Sequence, residues 1–132
     1  MLLASPALSQ TTSTLSNSEQ QLIKQFLNKK YWYGFFIDER KIGYGYETSY
    51  FDRENTNNLI MELKFDINIT TEGKKQNFGL SEKLYFDKSS GELIACSSGS
   101  AEGSVKTTVS ANRRGDLWLI TDQGGRKREL PV

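Results

Sequence analysis

Residues 31–51 read YWYGFFIDERKIGYGYETSYF. The first seven, Tyr-Trp-Tyr-Gly-Phe-Phe-Ile, are aromatic or β-branched apart from one glycine, which suits a pleated strand. Asp38-Glu39-Arg40-Lys41 is a charged break and reads as a turn. After it, Ile42, Tyr44, Tyr46, Thr48 and Tyr50 alternate with Gly43, Gly45, Glu47, Ser49 and Phe51. A strand, a polar turn and a second strand make a hairpin. The rest of the chain repeats the scheme, so this stretch sets the fold class. The two glycines fall on one face and leave room there. An interior strand glycine marks a bend, or a close approach by a neighbouring ring or backbone.

Downstream, Leu59, Met61, Leu63, Phe65, Ile67 and Ile69 alternate with Glu62, Lys64, Asp66, Asn68 and Thr70. Such a strand has one face in a core and one in water. Glu72-Gly73-Lys74-Lys75 turns the chain. Residues 76–87 return with Phe78, Leu80, Leu84 and Phe86 on one face and Glu82 among them. After the Lys88–Gly91 turn comes a weaker strand over 92–98. SSGSAEGS (97–104) reads as a flexible connection or a wide turn. Val105, Thr107, Val109 and Ala111 mark a strand that ends at an Asn112–Gly115 turn. Residues 116–122 and a short basic strand over 126–130 follow, closed by Pro131. About eight strands joined by short turns predict an antiparallel meander. To hide its apolar face, a meander of this length is expected to form a strongly curved sheet, a half-barrel or a barrel.

Upstream, one amphipathic helix is predicted over 17–30. Ser16 and Glu19 have capping-box spacing. Leu22, Ile23, Phe26 and Leu27 make the apolar stripe. Lys29 and Lys30 are expected at its C-terminal end, where cations suit the dipole. The stripe is expected to rest on the sheet. The chain therefore divides into a lead-in, residues 1–16, and one β-rich domain with its helix, 17–132. In the lead-in, Ala7-Leu8-Ser9 has the small-x-small pattern that precedes an export cleavage site. This predicts a periplasmic or secreted protein, with a cytosolic tail as the other reading.

Composition removes whole classes of chemistry. The 132 residues carry no histidine and one cysteine, and 17 basic against 16 acidic residues leave a net charge of +1. Histidine general bases, Ser-His-Asp and Cys-His triads and histidine zinc sites are excluded, as are internal disulfides. The charge gives no case for nucleic acid. No cofactor or metal site is expected, and no stretch is long enough to span a membrane.

Tyr33-Gly34, then Lys41-Ile42-Gly43-Tyr44, and later Tyr85-Phe86-Asp87 with Gly91-Glu92-Leu93, resemble the N-terminal, non-catalytic β domain of bacterial transglutaminase-like exported proteins. The resemblance covers roughly residues 31–132. It implies an accessory or binding domain built on a curved sheet. The Cys-His-Asp triad of the catalytic half of such proteins does not carry over, because this chain has no histidine.

The candidate site is an apolar sheet face carrying Tyr44, Tyr46, Met61, Leu63, Phe65, Phe78, Leu84 and Trp118, with Glu82 as a polar anchor. An apolar surface with few polar groups is the default ligand site. The expected function is non-enzymatic: binding of a hydrophobic small molecule or another envelope protein. The alternative is a purely structural module without a ligand. Glu82 and Glu47 acting as lone carboxylates would be the enzymatic reading, but no residue pattern orients them. Cys96 lacks a histidine to activate it and reads as a structural thiol. Asn68-Ile69-Thr70 matches a glycosylation sequon. Arg113, Arg114, Arg126, Lys127 and Arg128 are expected either to gather at one end of the sheet as an anion site or to guard a solvated edge.

Overall fold

The computed structural model describes residues 14–132. The helix α1 spans Asn17–Phe26, and eight strands follow: β1 Lys30–Ile37, β2 Arg40–Phe51, β3 Asn58–Thr71, β4 Lys74–Asp87, β5 Leu93–Glu102, β6 Val105–Arg114, β7 Leu117–Asp122 and β8 Lys127–Pro131. They form a single antiparallel sheet in sequence order, β1 to β8. The meander is as the alternation predicts. The barrel is not: β1 and β8 are free edges and the sheet is open. A closed barrel needs its first and last strands to pair. Here β8 has only five residues, four of them Lys, Arg, Glu and Pro, which blunts it as a pairing edge.

Register assigns the side chains to two faces. Gly43, Gly45 and Glu47 of β2 stand opposite Ile67, Phe65 and Leu63 of β3. These in turn stand opposite Phe78, Leu80 and Glu82 of β4. Directly opposed residues share a face, so the apolar rows of β3 and β4 lie side by side. The same face continues through Cys96 of β5 and Ala111 of β6 to Ile120 of β7. The opposite face carries Trp32, Tyr44, Tyr46, Tyr50, Ile60 and Glu62.

The glycine pair of β2 has the role its position implies. A Cβ on Gly45 would run into the Phe65 ring and lie 2.6 Å from the Lys64 carbonyl oxygen. On Gly43 it would meet the Asp66 carbonyl oxygen and lie 2.9 Å from Ile67 Cα. The Phe65 ring occupies the space above Gly45 and meets Phe35 edge-on, centroids 5.2 Å apart. Both glycines are buried.

The first hairpin turns through only two residues. Asp38 and Glu39 have φ of 47° and 66°, the pair of positive values that a type I′ turn demands. Arg40 and Lys41 therefore belong to β2 instead of the turn. The stretch 97–104, expected to be flexible, is strand through Glu102. Ser97 to Glu102 pair with β4 on one side and β6 on the other. Two complete ladders outweigh the low strand propensity of serine and glycine.

The helix begins where the capping box places it. Ser16 is the N-cap, and its backbone N–H donates to Glu19 Oε2 at 2.7 Å. It ends earlier than the stripe suggests. Leu27 is extended and bridges to Ser49. Asn28 takes φ 58°, and its N–H donates to the Ser49 carbonyl at 2.7 Å. Lys29 and Lys30 thus lie beyond the helix, and Lys24 is the cation of its last turn. The helix lies on the face of β3 that carries Leu59 and Met61, as expected.

Two expectations test these features. Gly43→Ala should cost at least about 2 kcal/mol, because backbone atoms block the new methyl and cannot yield cheaply. Gly79→Ala should be near neutral, because its Cβ meets nothing closer than 3.5 Å. Urea unfolding midpoints of the two variants report the difference. Glu39→Gly should raise stability by about 0.5–1 kcal/mol by relieving a left-handed non-glycine residue, again read as a midpoint shift.

Candidate functional site

Three residues, Leu27 to Lys29, join α1 to β1. So short a link confines the helix to one end of the sheet, the end where β2 and β4 finish and β3 begins. There the stripe meets the sheet only in part. No residue of α1 is fully buried, and Leu22 and Phe26 remain about half exposed. Helix and sheet are not packed into a solid core. A cleft of about 510 Å³ lies between them, walled by Leu15, Ile23, Phe51, Leu59, Met61 and Phe86. A second hollow of about 370 Å³ shares Ile23, Leu59 and Met61 with it and runs on past Phe26 to Tyr31 and Tyr33.

Beside these apolar walls the lining holds Gln20, Asn57 and Ser89 and three charged side chains, Lys24, Asp87 and Lys88. Lys24 of α1 and Lys88, just after β4, both line it and are both solvent-exposed. Lys88 Nζ lies 5.0 Å from the Phe51 ring centroid, within cation–π range. Asp87 is the one carboxylate in the lining, and it is engaged elsewhere. Its Oδ1 accepts from Ser89 N at 2.9 Å, Ser89 Oγ at 2.6 Å, Ser90 N at 2.8 Å and Ser90 Oγ at 3.1 Å. The Ser89 hydroxyl, then the Ser90 amide, hold the Asp87 carboxyl below its ordinary value of 3.8. The turn fixed by Asp87 also ties down the lead to the helix: Leu15 N–H donates to the Ser89 carbonyl at 3.0 Å.

The expected site residues divide into three groups. Met61 is in the cleft. Leu84 stands directly opposite Met61, and Leu63, Phe65, Phe78 and Glu82 share its face farther along β3 and β4. Phe65 and Phe78 line a shallower hollow of about 320 Å³ with Ile67 and Leu80. Trp118 lies on that face across the sheet, opposite Arg113. Tyr44 and Tyr46 do not join them. They stand opposite Asp66 and Lys64 on the other face, because the face of β2 that meets the apolar row carries the glycines. Glu82 is half-buried between Leu63 and Ser98. Cys96 is half-buried between Leu84 and Ala111.

Tyr44 and Tyr46 belong to a second cluster. Trp32 packs on both, centroids 6.0 and 5.3 Å away, and Lys30 Nζ lies 4.2 Å from the Tyr46 ring centroid. The Tyr46 and Tyr50 hydroxyls donate to the two oxygens of Glu62, at 3.1 and 2.9 Å. Burial, then the bond to Glu62, pushes the Tyr50 phenol up to about 12. Glu47 on the helix face accepts from Tyr33 at 3.1 Å.

The basic residues do not form one patch. Arg113 and Arg114 end β6, whereas Arg126 precedes β8 and Lys127 and Arg128 begin it, at the other end of β7. Arg113 pairs with Glu92 at 3.6 Å and Arg126 with Asp122 at 2.8 Å. Among the described residues, no group of His, Cys, Asp and Glu side chains could hold a metal ion, and no helix is long and apolar enough to cross a membrane. The export reading of residues 1–10 lies outside the described residues.

The cleft residues Ile23, Phe51, Leu59 and Phe86, and the lysines beside them, are not in the set expected from sequence. The sequence signal for Leu59 and Phe86 is strand alternation, which sets them on the faces of Met61 and Leu84. The pairing of Phe51 with Leu59 and the short link from α1 to β1, which bring Phe51 and Ile23 to the same end, are set by the fold. A scan of protein-family models, a search of curated proteins and a search of solved structures each give no match to this chain.

Asp87→Asn should lower stability by about 1 kcal/mol at pH 7, because the neutral amide is the weaker acceptor in this turn. A carboxyl held below its unfolded value contributes fully above that value. Its contribution is lost as pH falls through the folded one. The stability difference between the two proteins should therefore persist from pH 7 to about 4 and shrink below that, as followed by urea unfolding at each pH.

Proposed function

We propose that the chain is a non-enzymatic, exported β domain that binds an apolar, lipid-like ligand between α1 and the β2–β4 face. The observation that carries the reading is the cleft: about 510 Å³, with Leu15, Ile23, Phe51, Leu59, Met61 and Phe86 as its apolar wall, polar and charged side chains beside them, and an opening to solvent where packing would close a structural core. Ligand sites are typically clefts of roughly 300–1,000 Å³ with mostly apolar walls and a few polar groups. Export is supported by the Ala7-Leu8-Ser9 pattern. It also accords with the accessory-domain role implied by the resemblance of the glycine-aromatic hairpin to transglutaminase-like proteins.

A second reading, docking on a protein partner, is favoured by how little of the sheet is covered. Among the described residues, only Ile60 and Ala111 form a buried hydrophobic core, while Val109, Leu117 and Leu130 stay more than a third exposed. In that reading the domain is an assembly module without a small ligand.

Native mass spectrometry of freshly purified protein, followed by organic extraction, separates the two. Ligand binding predicts an adduct that extracts as a hydrophobic small molecule and is lost in Met61→Arg, which places a charge in the cleft. A bare polypeptide mass, with no uptake of an apolar fluorescent dye at micromolar protein, would rule the ligand reading out in favour of the module.

A further inference from the structure

We infer that the ligand of the α1 cleft is an anionic amphiphile: an alkyl chain lying along Ile23, Leu59 and Met61, with a carboxylate or phosphate head between Lys24 and Lys88. The inference rests on the ligand-binding reading above and gives it a chemistry.

The asymmetry of charge around the cleft carries the inference. Its lining includes two cations and one anion. Asp87 Oδ1 accepts four hydrogen bonds from Ser89 and Ser90, which hold the carboxylate in its own turn, and the lining keeps a net charge of +1. The cations are not committed: among the described residues, neither Lys24 nor Lys88 has a carboxylate within ion-pair distance, although Arg113 and Arg126 both do. The two lysines come from opposite walls, one from the helix and one from the turn after β4. Lys88 is held on the apolar side, its ammonium 5.0 Å from the Phe51 ring centroid and its backbone N–H bonded to the Asn57 carbonyl at 2.7 Å. Cationic groups where apolar walls reach water favour a ligand with a negative head and an apolar tail. Ile23, Leu59 and Met61 line both this cleft and the second hollow that includes Phe26. These three side chains offer an alkyl tail an apolar wall.

The test keeps one sixteen-carbon chain and changes only the head. The full chain is titrated by calorimetry, below micelle-forming concentrations, with hexadecanoate, hexadecyl phosphate, hexadecanol and a hexadecyltrimethylammonium salt. The two anions should bind about fivefold to tenfold more tightly than the alcohol, the sum of two partly exposed charge contacts. The cation should bind most weakly. Raising the salt should shrink the preference. In the Lys24→Gln/Lys88→Gln double variant, anions and alcohol should bind within twofold of each other, the ratio being read within the one protein. A wild-type protein that binds alcohol and anions equally overturns the head-group assignment and leaves the apolar reading standing. Failure to bind any of the four overturns both. A monoacyl phospholipid added to the series identifies the source: tighter binding than hexadecanoate points to a membrane lipid, weaker binding to a free fatty acid, and either result upholds the anionic head.

Discussion

The apolar row shared by β3 and β4 is the constraint on which the rest of the molecule depends. Fourteen residues of each strand pair without a break. Leu59, Met61, Leu63, Phe65 and Ile67 therefore lie beside Phe86, Leu84, Leu80 and Phe78 on one face. A sheet with such a face needs a second layer. Among the described residues the chain supplies one ten-residue helix for it. The helix is too short to cover the row and is tethered at one end. What it leaves is a wedge of unfilled space at that end and open apolar surface beyond. Both functional readings come from this shortage.

The two faces of β2 divide the work of holding the sheet. On the helix face, Gly43 and Gly45 let β3 approach and let the Phe65 ring lie flat against the strand. On the other face, Tyr46 and Tyr50 grip the carboxylate of Glu62 from both sides. A slip of one residue would turn the glycines away from Phe65 and the tyrosines away from Glu62, so each face guards the register of the other.

Strict alternation made most of the sheet legible in sequence. Leu59 to Ile69 and Phe78 to Phe86 lie where period two places them, and the capping box at Ser16 and Glu19 fixed the start of the helix. What stayed hidden depended on pairing. Alternation assigns a residue to a face within its own strand but says nothing about how one strand's faces line up with the next. Tyr44 and Tyr46 were grouped with Met61 on that account, whereas the β2–β3 register puts glycines there. Likewise, Ser97 to Glu102 have poor strand propensity, and only the ladders on both sides make them a strand. Leu27 fits the helical stripe, but its bridge to Ser49 draws it out of the helix. The lysines of the cleft carry no sequence pattern at all, because Lys24 and Lys88 become neighbours of one cavity only when α1 folds back.

That fold-back has a kinetic side. Every ladder joins strands adjacent in sequence, and even the longest reach, Asn58 to Asp87, spans 29 positions. Local pairings of this kind close small loops and form early. The bond from Leu15 to the Ser89 carbonyl is different in kind, since it joins positions 74 apart. It brings its partners together once β1 to β4 have paired, and by itself it closes a long loop. The cleft is therefore made after the ladders of the first four strands. Its lid is a late-docking helix whose undocking leaves the eight strands paired, so entry to the cleft need not cost the unfolding of the sheet.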